Sequence, residues 1–374
     1  MLKLGIPIPI FRSAKEIVNG KNARFALKAI VCNRAAIIIS QSFKKSIYFE
    51  QISRLINAES HRFIEKSWDG EPSLTSLSGL SSELEEFKPD YIIALGGGSV
   101  IDGAKLAWLL YEHPTTREEN LFRPFSLPPL RGKAKFAAIP TTIGSGSEVS
   151  SAAVFFDGKN MRKQAVVTHD FLPDLVILDP ELVSEVPLPI LKTTVADALS
   201  HAVEGYVSKI NHPLMDIFAE KVVEIIFRHS SEYHSSVWDL DTISELQYAA
   251  MLAGWVQNHC MAGLSHSIAH QMGRYKIGHG LANGLFMPAV LDFNSSDNEI
   301  AQKYQTLCSK AGVSGVEELK NLFSNLVTKQ KKMISLTQTQ LIEIGESAVL
   351  DTTASSNPVI FNEEHVMKIV EKCL

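Results

Sequence analysis

Five residues in two short segments have the side chains needed to hold and use a divalent ion. Asp197 and His201 lie in VADALSHAVEGY, and His266, His270 and His279 follow in HSIAH and IGHG. Residues four apart share one face of a helix, so Asp197 with His201, and His266 with His270, each present two donors to one point. Any one of these histidines alone is more simply a hydrogen-bonded core or surface residue. Five donors in two compact groups point instead to a metal. One carboxylate and neutral imidazoles leave a divalent cation with net positive charge. That charge polarises an alcohol or carbonyl oxygen and lowers the pKa of a bound alcohol. A donor set without cysteine suits Fe(II) or Zn(II), and geometry alone does not choose between them. Spacing supplies one histidine in excess and does not rank 266, 270 and 279.

A second chemistry resides in YIIALGGGSVID at 91–102. A strand that stops at three glycines and opens a helix lets the backbone approach a phosphate, and the helix start adds free N–H groups and partial positive charge. Ser99 suits the N-cap, and Asp102 places a carboxylate near the helix start. The run is neither G-x-G-x-x-G nor a P-loop, so by itself it indicates only a phosphate-bearing cofactor. PTTIGSGSE at 140–148 follows another strand. Alone it is an ordinary Ser/Thr/Gly turn; beside the first loop it suggests a nucleotide crevice at the carboxyl end of a sheet.

The elements that must carry these groups fall into two halves. Buried-strand patterns occur at 35–40, 61–67, 91–95, 134–139 and 174–178, separated by helical patterns at 47–56, 77–87 and 100–111. Such alternation implies right-handed crossovers and a parallel sheet covered on both faces. A proline-rich stretch at 112–133 reads as irregular. Beyond residue 187, helical spacing dominates at 188–208, 213–229, 241–272, 298–311 and 315–328, with 277–280 turn-like. The expected domains are 1–183, α/β, and 184–374, all-helical.

A formal net charge of -5 gives no footprint for nucleic acid or anionic membrane. The four cysteines form no C-x-x-C pair, which argues against disulfides and thiolate metal sites. Cys32 and Cys308 read as core thiols. With no signal peptide in Met1–Phe11 and no transmembrane run, the expectation is a soluble cytoplasmic protein.

Together these motifs resemble the iron-containing (group III) alcohol dehydrogenase family. The likeness rests on GGGSVID, PTTIGSGSE, PDLVILDPEL at 173–182, DALSHAVEGY, and HSIAHQMG with GHG. It spans nearly the whole chain and is weakest in 1–60 and 290–374. It implies a dehydroquinate-synthase-like fold, with a Rossmann-like α/β domain before an all-α domain. It also implies a homodimer and an NAD- or NADP-linked, iron-dependent alcohol dehydrogenase or aldehyde reductase. The family pattern assigns the metal to Asp197, His201, His266 and His279 and leaves His270 beside the substrate as a proton relay. It gives Gly97, Gly98 and Ser99 the cofactor pyrophosphate, with Asp102 nearby. Thr141, Thr142 and Ser147 approach the cofactor from the second loop, and Lys163 lies towards the nicotinamide.

Three departures accompany the likeness. The segment between His266 and His279 is slightly shorter than the family's, and Arg274-Tyr275-Lys276 makes it more basic, a hint of a polar or anionic aldehyde. Gln41 stands where NAD-preferring relatives carry an acid. With Lys44 and Lys45 near it, Gln41 tolerates a 2′-phosphate, so NADPH is expected to serve at least as well as NADH. Glycerol-dehydrogenase-like and dehydroquinate-synthase-like enzymes are the nearest alternatives, and His201, a fourth ligand, argues against them. A non-enzymatic nucleotide- or metal-binding protein is the alternative from another class; no ligand position is lost, as such a protein would lose one.

Overall fold

Residues 10–158, 162–327 and 336–374 are described by the structure, a computed structural model. Its strands are β1 (Glu16–Asn19), β2 (Cys32–Ile39), β3 (Ala58–Glu65), β4 (Tyr91–Gly96), β5 (Lys135–Pro140), β6 (Ala152–Asp157), β7 (Arg162–Val167) and β8 (Leu175–Leu178). Six form one parallel sheet, ordered β1-β8-β5-β4-β2-β3, while β6 and β7 pair as an antiparallel hairpin. The central strands are apolar without alternation because both faces are covered. Ile37, Ile38 and Ile39 of β2 are fully buried, and every residue of β4 is buried.

From β2 the chain winds outward to β3, then returns to lay β4 on the other side of β2 and β5 beyond it. The winding therefore reverses between β2 and β4. At such a reversal the connections leave in opposite directions and open a crevice at the carboxyl ends of the strands. Gln41 follows β2 there, and Gly97–Ser99 follow β4.

Helices α1 (Phe49–Leu55), α2 (Leu74–Phe87), α3 (Gly98–Glu112), α4 (Glu118–Leu121) and α5 (Pro180–Val183) accompany the sheet. α2 starts with a reciprocal capping box between Ser73 and Ser76. The rest of the chain is helical: α6 (Leu188–Val207), α7 (Pro213–Arg228), α8 (Leu240–Cys260), α9 (Leu264–Met272), α10 (His279–Asn294), α11 (Asn298–Lys310), α12 (Val316–Val327), α13 (Gln338–Val349) and α14 (Glu363–Cys373). No helix among the described residues is long and apolar enough to cross a membrane.

Glycines let the second loop and the helices meet. A Cβ on Gly144 would lie 2.5 Å from the Thr194 carbonyl oxygen of α6, and one on Gly146 would lie 2.3 Å from Gly254 Cα of α8. A Cβ on Gly280 would meet the Thr193 carbonyl oxygen at 2.3 Å, so α10 starts directly against α6. These contacts fix Asp197, less than one turn beyond Thr194, close to both the second loop and His279.

Several sequence expectations change. The single helix at 241–272 is two helices, broken where Met261 adopts φ 60°. The segment at 277–280 is not simply a turn, because His279 is the first residue of α10. α4 interrupts the stretch 112–133. Strands β1, β6 and β7 lie outside the expected series; β1 is largely exposed and has no apolar run to reveal it. Cys308 is buried, but Cys32 is only half-buried. The last expected residue of the helix at 315–328 lies outside the described residues.

Candidate metal and cofactor site

α6 is amphipathic only in its first turns; from Val195 onward almost every side chain is buried. Asp197 and His201 therefore project into the protein interior, where each must find a partner. His266 comes from α9 and His279 from the first position of α10. Asp197 Oδ1 lies 3.6 Å from His266 Nε2 and 3.4 Å from His279 Nε2. Donors bound tetrahedrally at normal metal–nitrogen and metal–oxygen lengths are about 3.4 Å apart. One donor atom each from Asp197, His201 and His266 lies within 4.8 Å of the others. The rings of His201 and His266 stack at 4.5 Å, and that of His279 stands 5.3 Å from His266.

The hydrogen bonding tests whether an ion fits. Buried polar atoms nearly always find partners, so those without one call for an explanation. Neither ring nitrogen of His201 has a hydrogen bond of normal geometry, nor does His266 Nε2; in His279 the unpartnered nitrogen is Nδ1, while Nε2, which faces Asp197, lies 3.3 Å from Asn283 Nδ2. His266 keeps Nε2 free because its other nitrogen is committed: Nδ1 is 2.5 Å from Glu204 Oε2. Glu204 also accepts the N–H groups of Gly263 and Ser265 at 2.9 and 2.6 Å, capping α9 from α6. Asn283 donates to Asp197 Oδ1 at 2.7 Å. The donors are thus already oriented, in the carboxylate–histidine arrangement typical of metal sites.

The electrostatics of His201 and His279 fit as well. Burial drives His201 down to about 3 and His279 well below the usual histidine range, so both are neutral donors. Burial also opposes charge on His266, but Glu204 and then Asp197 override it and raise this group to about 9. Burial disfavours an ionised Asp197, yet the surrounding imidazoles of His279, His201 and His266, the last through a hydrogen bond as well, hold it well below the usual carboxylate range.

His279 and His270 both lie outside the three-residue cluster, His270 one turn beyond His266. The His270 ring stacks on His279 at 5.2 Å and 13°, and its Nδ1 is 2.9 Å from Asp351 Oδ2. Lys163, on β7, pairs with Glu71, and its charge reaches His279. A pocket lined by Phe122, Pro124, Lys163, Gln271, Leu350 and Asp351 opens beside these groups. Arg274 and Lys276 are exposed on the loop before α10.

The two loops meet at the crevice. Cβ atoms on Gly97 and Gly98 would come within 3.2 Å of Thr142 and 2.6 Å of Ser145 Oγ, so side chains are excluded and the backbone is bare. Gly97, not Ser99, is the N-cap of α3, and it supplies no side-chain bond; the first N–H groups remain for a ligand. Thr141 is held by its N–H to Gly96 O at 3.0 Å. Asp102 points inward and accepts from Val154 N at 3.1 Å, so it secures β6 rather than the helix start. Burial lifts its carboxyl to about 6. Ser147 is buried with it, and its carbonyl accepts from Lys105 Nζ at 2.6 Å.

Reasoning from sequence missed Glu204, Asn283, Asp351 and Glu71. Glu204 had a signal, because it follows Asp197 and His201 on the same face of α6. Replacing it with glutamine is expected to weaken metal affinity about 10–100-fold, since one neutral amide oxygen must then serve donors that two carboxylate oxygens held and the charge that fixes the His266 ring is lost. Competition against a chelator measures this; unchanged affinity would remove Glu204 from the site.

A nucleotide crevice at the sheet's winding reversal, next to a buried Asp/His cluster, defines a metal-dependent dinucleotide enzyme with an α/β and a helical part. Comparison with known proteins gives the family. The profile described as iron-containing alcohol dehydrogenase matches residues 14–180, and that of the Fe-containing alcohol dehydrogenase family, C-terminal, matches 191–374. An NADPH-dependent butanol dehydrogenase of Clostridium saccharobutylicum is 31% identical over 96% of this chain and 97% of its own. A 1-propanol dehydrogenase of Citrobacter freundii is 28% identical over 97% of this chain and 99% of its own. The iron-containing alcohol dehydrogenase structure from Thermococcus thioreducens superposes with a TM-score of 0.88 at 27% identity, covering 97% and 99% of the two chains. The chain belongs to the iron-containing alcohol dehydrogenase family.

Proposed function

We propose that this protein interconverts a small alcohol and its aldehyde with NAD or NADP, using Fe(II) held by Asp197, His201, His266 and His279. The observation that carries this reading is the buried Asp197–His201–His266 cluster with partnerless ring nitrogens, set against the two cofactor loops. When bound, the ion supplies Lewis-acid polarisation of the substrate oxygen and the nicotinamide supplies the hydride chemistry.

The protein's own groups orient and exclude. Glu204 fixes the His266 ring and Asn283 fixes Asp197. His270 is the proton carrier. Its Nδ1 is engaged by Asp351, so Nε2 is left to take or give the proton. Gly97, Gly98 and Ser99 offer backbone to the pyrophosphate, Thr141, Thr142 and Ser147 line the second loop, and Lys163 with Glu71 borders the nicotinamide end. Gln41 and the named cofactor of the butanol dehydrogenase relative favour NADPH. The same reading includes domains 1–183 and 184–374, a cytoplasmic homodimer and no nucleic-acid or membrane partner.

The test compares chelator-treated protein with protein reloaded with Fe(II) or Zn(II), on a panel of aldehydes with NADH and with NADPH. Turnover of short aldehydes only after metal loading is the expected result. Full activity in metal-free protein would contradict the scheme, and strict NADH use would overturn the NADPH preference.

A further inference from the structure

We propose that Lys66 is the side chain that binds a phosphate of the cofactor, a task the Ser99 hydroxyl is not free to perform. A hydroxyl has one hydrogen to donate and two lone pairs to accept with. Ser99 Oγ donates to the Gly70 carbonyl and accepts from Trp68 Nε1 at 3.0 Å and Lys66 Nζ at 3.2 Å. All three capacities are used. Ser99 therefore offers a phosphate its backbone N–H; the single N–H of Trp68 is spent on Ser99, so the adjacent side-chain donor with hydrogens to spare is the ammonium already bonded to it.

Lys66 is placed for this role by the sheet. It follows β3 directly, and its N–H donates to Ile39 O at the end of β2 at 2.9 Å. Its backbone is thus tied to the end of β2, where Gln41 follows, while its side chain reaches the first turn of α3. Among the described residues the Lys66 ammonium makes this one side-chain hydrogen bond, to Ser99, and no ion pair with a carboxylate. An ammonium has three donors, so two remain. Of the two acids whose charge it feels, Asp69 is exposed and Glu71 is engaged by Lys163. Half-burial pulls Lys66 below the usual lysine range, a cost that an anion alongside it relieves. Trp68, whose ring lies 5.7 Å from Nζ and packs against Gly103, holds the arrangement rigid.

The ligand chemistry is a phosphoryl oxygen, from the pyrophosphate of either cofactor or from the 2′-phosphate of NADPH. The inference rests on the cofactor reading above. Isothermal titration calorimetry of NADH and NADPH into the full-length protein tests it without turnover. Lys66→Met is expected to weaken binding about 10-fold or more, and Lys66→Arg to retain most of it, because the charge and donors persist. Equal losses for both cofactors assign Lys66 to the pyrophosphate; a loss confined to NADPH assigns it to the 2′-phosphate. If wild type binds and Lys66→Met binds both equally well, the proposal fails alone. If wild type binds neither nucleotide, the cofactor reading fails with it.

Discussion

Asp197→Ala is expected to leave the protein with about a tenth or less of its wild-type metal after loading with Fe(II). Turnover is expected to fall by about 10³-fold or more, since the ion's polarisation of the substrate is worth several kcal/mol and each 1.36 kcal/mol is about tenfold in rate. Asp197 is the one carboxylate among the proposed ligands, and its Oδ1 sits between two imidazole nitrogens at 3.4 and 3.6 Å. Without it, neutral imidazoles remain and the divalent charge is less well compensated. Asn283 also loses its acceptor, so the start of α10 is released as well. Asp197→Asn separates the two effects. It keeps the volume and an oxygen for Asn283, so a normal melting curve with lost metal isolates the missing charge. A variant that holds stoichiometric iron and turns over normally would remove Asp197 from the ligand set.

The opposite pattern is expected for His270. His270→Gln and His270→Ala are expected to bind metal like the wild type while kcat drops by about 10²–10⁴-fold, the usual loss when a positioned proton carrier is removed. Glutamine can still donate to Asp351 and avoids leaving that buried carboxylate short of its His270 partner; alanine cannot. Metal content by elemental analysis is the deciding measurement. His270 is four residues from His266 on α9, the same spacing as Asp197 and His201 on α6, so spacing alone made it as good a ligand as His279. If His270→Gln empties the site while His279→Gln does not, the two assignments must be exchanged.

How much was legible beforehand follows from the range of each interaction. The two i, i+4 pairs are properties of single helices, so the metal donors were visible in the chain as candidates. The buried runs of β2, β4 and β5 announced a parallel sheet because both faces are covered and alternation disappears. The hairpin β6–β7 gave a weaker sign. So did β1, whose exposed residues carry no pattern.

The choices within the site came from contacts between distant segments. Helical propensity runs through 241–272, yet the chain breaks at Met261 because Glu204 from α6 and Asn357 from near the C-terminus accept the N–H groups that open α9. A helix end made of partners 59 and 93 residues away leaves no local trace. His270 is distinguished from the metal donors by Asp351, 81 residues on. Ser99 looked like a phosphate-binding hydroxyl until Trp68, Lys66 and Gly70 proved to occupy it. The sequence by itself determined which side chains could hold a metal or approach a phosphate, since residue type and helical period decide that. Tertiary structure alone decided which atoms remain free to do so, because a donor's availability depends on every neighbour that has already claimed it.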